Sequence, residues 1–82
     1  MPYYVYILAS VSFERYYVGQ TSDVEVRLAR HNRGAEPSTS PYLPWKLAWK
    51  GEKPTRGEAM KLEKKLKNLS RLRIKAFIEK YS

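Results

Sequence analysis

The sequence predicts a small α/β chain of the α+β type: a three-stranded antiparallel sheet flanked by helices, in the order β-β-α-β-α-α. Three observations lead there. Two runs rich in aromatic and β-branched residues, 3–9 and 14–19, are separated by only four residues, a spacing that suits a hairpin. A third run, "WKLAWK" at 45–50, alternates apolar and polar residues as a half-buried strand does. Two capping patterns, Ser22 with Glu25 and Thr55 with Glu58, each introduce a segment with helical apolar spacing.

In the first strand, Tyr4, Tyr6 and Leu8 share one face and Tyr3, Val5 and Ile7 the other. With a four-residue loop at 10–13, Ala9 lies opposite Glu14 and Tyr6 opposite Tyr17, so two phenols stand side by side on one face. Ser22 is expected to cap the first helix and Gly34 to end it, with Asp23 favoured by the helix dipole. Val24 and Leu28 form its core-facing stripe. Arg27 and His31, four apart, project together from a neighbouring face, while Arg30 and Arg33 point to solvent or phosphate. Residues 35–44 are rich in Pro and Ser and form a loop. Trp45, Leu47 and Trp49 then line one face of the third strand, as core rather than as platforms for bases. Ala59, Leu62, Leu66 and Leu69 give the next helix its apolar stripe. Ser70 caps the last helix, in which Leu72, Ala76 and Phe77 or Ile78 face inward.

Eighty-two residues, 43% hydrophobic and 29% charged, make one domain over 1–82 with a modest core. The absence of cysteine excludes disulfides and thiolate zinc sites, and a single histidine excludes a histidine-rich metal site. No apolar run is long enough to span a membrane, and "MPYYVYILAS" lacks the basic start of a signal peptide. A cytoplasmic location is expected. The net charge is +8 and is uneven: residues 55–82 carry nine Lys/Arg against three Asp/Glu, residues 1–54 seven against five. A surface of this kind attracts polyanions, nucleic acid above all, through counterion release.

Two features go beyond packing. The run "YYVGQTSDVEVRLARHN", 16–32, brings two tyrosines, two arginines and a histidine to a strand-to-helix corner. In "EAMKLEKKLK", 58–67, Glu63 follows Ala59 by one turn and sits at the edge of the apolar stripe, leaning toward the sheet. A carboxylate buried there needs a partner or a metal ion.

With these pieces in order, the chain resembles the GIY-YIG nuclease superfamily, in particular its small single-domain bacterial members. The two tripeptides stand as "YVY", Tyr4 to Tyr6, and "YVG", Tyr17 to Gly19; "TSDVEVRLARHN" supplies the arginine helix and "EAMKLEKKLK" the glutamate helix. The likeness covers essentially the whole chain. Tyr4 stands where glycine is typical and Val5 where isoleucine is, and no asparagine matches the one that larger members carry well beyond the glutamate, since Asn68 lies too close to Glu63.

The resemblance implies an endonuclease that hydrolyses DNA phosphodiester bonds with one divalent cation, Mg2+ or Mn2+, in repair or recombination. It implies catalytic roles for Tyr6, Tyr17, Arg27, His31 and Glu63, with Glu63 as metal ligand. Such roles suit the chemistry. Magnesium takes oxygen ligands and keeps several waters, so one carboxylate suffices to hold it. A guanidinium stays charged and matches phosphate geometry with forked donors. Tyr6 is the expected base or water-orienting group, with Arg27 and the cation favouring its phenolate, His31 as proton relay, and Tyr17 bonded to the same water or phosphate. Arg30, Arg33, Ser38, Thr39 and Tyr42 are expected nucleic-acid contacts. RNA is not excluded as a substrate, and with so little surface for reading bases, target choice is expected to depend on DNA shape, a protein partner or a homodimer. The alternative is a nucleic-acid-binding module on a nuclease fold without hydrolysis.

Overall fold

The computed structural model describes residues 2–81; the two termini of the expected 1–82 domain, Met1 and Ser82, lie outside the described residues. The elements are β1 (Tyr3–Ser10), β2 (Tyr16–Thr21), α1 (Val24–Asn32), β3 (Trp45–Lys53), α2 (Arg56–Lys67) and α3 (Arg71–Tyr81), with a 3-10 turn at Ser40–Tyr42 inside the expected loop. The sheet is antiparallel with strand order β2-β1-β3. The α+β class and the element order are those the sequence predicts. Among the described residues no helix is long and apolar enough to cross a membrane.

The central strand decides the layering. Val5 and Ile7 are buried on one face of β1, and Tyr6 and Leu8 on the other. A strand that is apolar on both faces needs cover on both. The Val5 and Ile7 face packs under α2 and α3, through Ala59, Leu66, Ile74 and the half-buried Leu62, Leu69, Phe77 and Ile78. The Tyr6 and Leu8 face packs under α1 and the segment that follows it, through Val24, Leu28, Tyr42, Leu43 and Trp45.

Three local expectations are corrected. The hairpin loop keeps four residues but lies one residue further along the chain, at 11–14, which shifts the register by two, because Ser10 closes it: its amide donates to the Arg15 carbonyl (3.0 Å), and its hydroxyl accepts from the Phe13 amide (3.1 Å) while donating to the Tyr42 carbonyl (2.7 Å). Tyr6 therefore pairs with Gly19, and Tyr17 with Leu8. A slip of two residues preserves side-chain parity, so Tyr6 and Tyr17 keep a common face, on a diagonal. The first helix begins one residue later than Ser22: Asp23 is the cap, its carboxylate accepting from the Val26 amide (3.1 Å), while the Thr21 hydroxyl accepts from the Asp23 amide and takes up the preceding turn. The stop at Gly34 stands, with φ of 75° that favours glycine. In β3, Ile7 pairs with Trp49 and Leu8 with Leu47, so a bulge at Ala48 breaks the alternation. Trp45 and Trp49 consequently face opposite layers, Trp45 under the α1 layer and Trp49 edge-on to Phe77 (4.9 Å between ring centroids).

The capping residues of the two later helices are the expected ones: Thr55 accepts from the Glu58 amide (3.2 Å) and Ser70 from the Arg73 amide (3.3 Å). The inward face of α3 is the expected one at Phe77 and Ile78 but not at Leu72 and Ala76. Leu72 is 74% exposed and Ala76 is exposed, whereas Ile74 is buried and Phe77 and Ile78 half-buried. One helix can turn only one stripe to the sheet, and the stripe that meets Trp49 and Leu66 is the bulkier one. Leu66→Ala should lower unfolding stability in urea by about 2–5 kcal/mol, the range for emptying a buried leucine site. Leu72→Ala should change it by less than about 0.5 kcal/mol.

Candidate active site

The site begins with Tyr6, which is 1% exposed although its side chain ends in a hydroxyl. The shifted hairpin register sets Gly19 directly across from it. A Cβ at position 19 would overlap the Tyr6 hydroxyl and its ring carbon, so glycine is required there for close approach. The phenol crosses that gap and reaches His31 Nε2 at 3.2 Å.

His31 is fully buried at the last turn of α1, and its other ring nitrogen, Nδ1, lies 2.9 Å from Thr39 Oγ1. The Thr39 hydroxyl donates to the Glu36 carbonyl (3.4 Å), which leaves its oxygen to accept from Nδ1–H. Nε2 then carries the lone pair and accepts the Tyr6 proton. The chain of bonds runs from Tyr6 through His31 to Thr39 and the backbone. Trp45 holds the far end, its indole N–H donating to the Thr39 carbonyl (2.9 Å). Asn32 fastens α1 to the start of β3 with two bonds to the Trp45 backbone, accepting from its amide (2.7 Å) and donating to its carbonyl (3.0 Å).

Around this buried line stand the other expected residues. Half-buried Tyr17 places its ring 4.8 Å from His31 and 6.3 Å from Tyr6, centroid to centroid. Arg27 is half-buried on α1, and among the described residues it forms no salt bridge. It lines a small cleft at the β2 end of the sheet with Gln20, Thr21 and Arg56. Glu63 comes from the opposite layer; its side chain is 20% exposed and its carboxylate meets Lys67 Nζ at 3.1 Å. The Lys67 ammonium also lies 5.8 Å from the Tyr17 ring centroid, which puts the Glu63–Lys67 pair beside Tyr17 at the β2 edge.

Electrostatics tie these groups to Tyr6. Its phenol is pushed well above the ordinary value of about 10, chiefly by burial, then by Tyr17, with Glu63 and Glu36 adding and Arg27 opposing. With no metal cation beside it, burial outweighs the nearby guanidinium, and Tyr6 keeps its proton. His31 is held below its ordinary value, first by burial and further by Arg27 and Arg30, against the pull of Glu36. Both partners of the central bond are neutral at pH 7.

The expected nucleic-acid contacts divide. Arg33 and Ser38 are exposed. Arg30 is exposed but ion-paired with Glu36 at 2.8 Å. Thr39 is corrected from an exposed edge to an interior residue, 1% exposed, because its hydroxyl is spent on His31. Half-buried Tyr42 packs against Phe13 and Trp45, with the Arg15 guanidinium 4.6 Å over its ring. The sequence-based reading missed Gly19 as the space for Tyr6, Asn32 as the tie to β3, and Lys67 as the partner of Glu63. The adjacency of Asn32 to His31 and the four-residue spacing of Lys67 from Glu63 were the available signals.

Among the described residues no group of three or more His, Asp or Glu side chains converges on one point. A cage built wholly of protein ligands is thus not what the site offers. A single half-shielded carboxylate that already holds a cationic ammonium does fit a hard cation that retains most of its waters.

A neutral, buried His31 makes stability depend on pH in a defined direction. In the unfolded chain histidine titrates near 6.5, and in the fold it titrates lower. Below about 6.5 the unfolded chain therefore binds the extra proton first, and stability falls as pH drops through that value toward the folded one. Thermal unfolding should give a lower Tm at pH 5.5 than at pH 7.5, and His31→Gln should shrink that difference.

The family model described as the GIY-YIG catalytic domain matches residues 2–76. Among solved structures, the chain is similar to the UPF0213 protein BH0048 from Bacillus halodurans, determined by solution NMR, at 32% identity and a TM-score of 0.63. That match covers 99% of this chain and 86% of the other. No curated protein matches. The tyrosine pair, the arginine helix and the glutamate helix thus lie within a match that spans nearly the whole chain, and the chain belongs to the GIY-YIG nuclease superfamily.

Proposed function

We propose that this chain is a divalent-metal-dependent endonuclease that hydrolyses phosphodiester bonds in DNA, acting in the cytoplasm in repair or recombination, with a protein partner or a second copy supplying target choice. The observation that carries this reading is the buried Tyr6–His31–Thr39 line, with Tyr17 against it and the charges of Arg27 and Glu63 acting on Tyr6.

In this mechanism Arg27 grips the scissile phosphate, since it is a cation without a carboxylate partner among the described residues, and it stabilises the charge that develops on the phosphoryl oxygens. Tyr6 serves as a relay and not as a phenolate. The attacking water gives its proton to the Tyr6 oxygen while the Tyr6 proton passes to His31 Nε2. The water oxygen forms the new bond to phosphorus, and the leaving oxygen departs with the old bonding pair and takes up a proton from solvent. Glu36 favours the imidazolium that forms on His31. Thr39 keeps the ring oriented through the step. Tyr17 donates to the phosphate or the water from the open side. Glu63 would hold Mg2+ or Mn2+ after releasing Lys67, and the ion would supply positive charge to the phosphate and the departing oxygen.

One observation favours a second reading, a nucleic-acid-binding module without hydrolysis: Glu63 is already neutralised by Lys67. Nicking of supercoiled plasmid, with single-stranded, branched and RNA substrates alongside, separates the two in Mg2+ and Mn2+. The nuclease reading expects metal-dependent cleavage that Glu63→Gln and Arg27→Ala each reduce by about 10²-fold or more, with the fold retained. Salt-sensitive binding without cleavage by the unmodified chain would favour the second reading, and equal cleavage by the variants would overturn the site.

A further inference from the structure

We propose that the cleft along the outer side of β2, where α2 hands over to α3, is a second phosphate-binding subsite, with Lys67 and Arg71 as its contacts. It would take the backbone of the nucleic-acid strand next to the phosphate held at Arg27. This inference rests on the nuclease reading and names where the strand runs.

The cleft has a volume of about 460 Å³ and shares Tyr17 with the candidate active site. The Tyr17 ring lies 4.8 Å from the His31 ring and 5.8 Å from the Lys67 ammonium, so a strand leaving the catalytic cluster past this ring meets the cleft. Its floor is apolar, formed in part by Leu69 and Ile74, and its walls carry Lys67, Arg71 and Arg15. An apolar floor beneath cationic walls matches a nucleotide unit, whose sugar and base are uncharged and whose phosphate is anionic. The Arg15 guanidinium is stacked on Tyr42, which leaves Lys67 and Arg71 as the phosphate contacts.

Arg71 is poised for this role. Its Nη1 donates to the Glu14 carbonyl (3.2 Å), which holds the guanidinium at the turn. Its other terminal nitrogen meets the Glu14 carboxylate only at 3.8 Å, and that carboxylate is 88% exposed. So loose and solvated a pair is weak, and a phosphate that accepts from the guanidinium fork displaces it. Lys67 acts at the junction, where its ammonium spans Glu63 and the Tyr17 ring. A cation held at Glu63 would compete with the Lys67 ammonium and leave that charge available to a phosphate in the cleft.

The test is metal-free binding of a short end-labelled single-stranded oligodeoxynucleotide, followed by fluorescence anisotropy over a salt series. Arg71→Ala should weaken binding several-fold and lower the slope of log K against log salt by about 0.7. Arg71→Lys should keep most of that slope, because the charge stays. Arg73→Ala, an exposed arginine on the same helix, should leave the slope closer to the unmodified value than Arg71→Ala does. Glu14→Gln should tighten binding by freeing Arg71, an arm that stands even if Arg71→Ala folds poorly. Unchanged affinity and slope in Arg71→Ala with no gain in Glu14→Gln, or equal losses from Arg71→Ala and Arg73→Ala, would overturn the subsite while leaving a cleaving protein's nuclease reading intact. Failure of the unmodified chain to bind any nucleic acid at low salt would overturn both.

Discussion

A phenol buried on the central strand of a sheet must give its hydroxyl a partner, and in this chain the partner is a histidine that is itself fully buried. Leaving either group unpaired would cost on the order of 1–3 kcal/mol. Much of the local architecture follows from meeting that demand. Gly19 removes the side chain that would block the phenol. The twelve residues between α1 and β3 fold back so that Thr39 can reach the far side of the imidazole. Trp45 and Asn32 then pin that segment to β3. A bond between two neutral side chains thereby joins the central strand, the first helix and the longest irregular segment of the chain.

The charged groups are arranged about this neutral line and come from both layers. Arg27 arrives from α1 on the same face as Tyr6, and Glu63 from α2 on the opposite face. They influence the same phenol because β2 is an edge strand only six residues long, so groups from either layer can act across it. A site at a sheet edge is open to a polymer in a way that an enclosed pocket is not. The basic residues of the C-terminal third, Lys67 and Arg71 among them, continue that edge outward.

How much of this was legible in the sequence depends on the interaction involved. Period-2 and helical spacing located every strand and helix, and the faces of β1 were correct because alternation is a local property. Parity protected the Tyr6–Tyr17 face even though the hairpin register was off by two. The bulge at Ala48 was not legible, since nothing in "WKLAWK" distinguishes a regular alternation from an interrupted one. The inward face of α3 was legible at Phe77 and Ile78 but misjudged at Leu72 and Ala76, because two apolar stripes competed and the choice is made by Trp49, far away in sequence. The role of Thr39 was hidden for the same reason: a threonine in a Pro- and Ser-rich loop looks exposed until the loop is folded over His31. The burial of Tyr6, which opposes the pull of Arg27 on its proton, was likewise not revealed by neighbouring charges in the sequence.

The central claim is that a neutral His31, protonated at Nδ1, accepts the Tyr6 proton at Nε2. Long-range proton–nitrogen correlation NMR on the imidazole reads this directly. At pH 7 the account predicts a neutral ring with the hydrogen on Nδ1 and an acceptor-type shift at Nε2. An imidazolium, or a neutral ring carrying its hydrogen on Nε2, would contradict it.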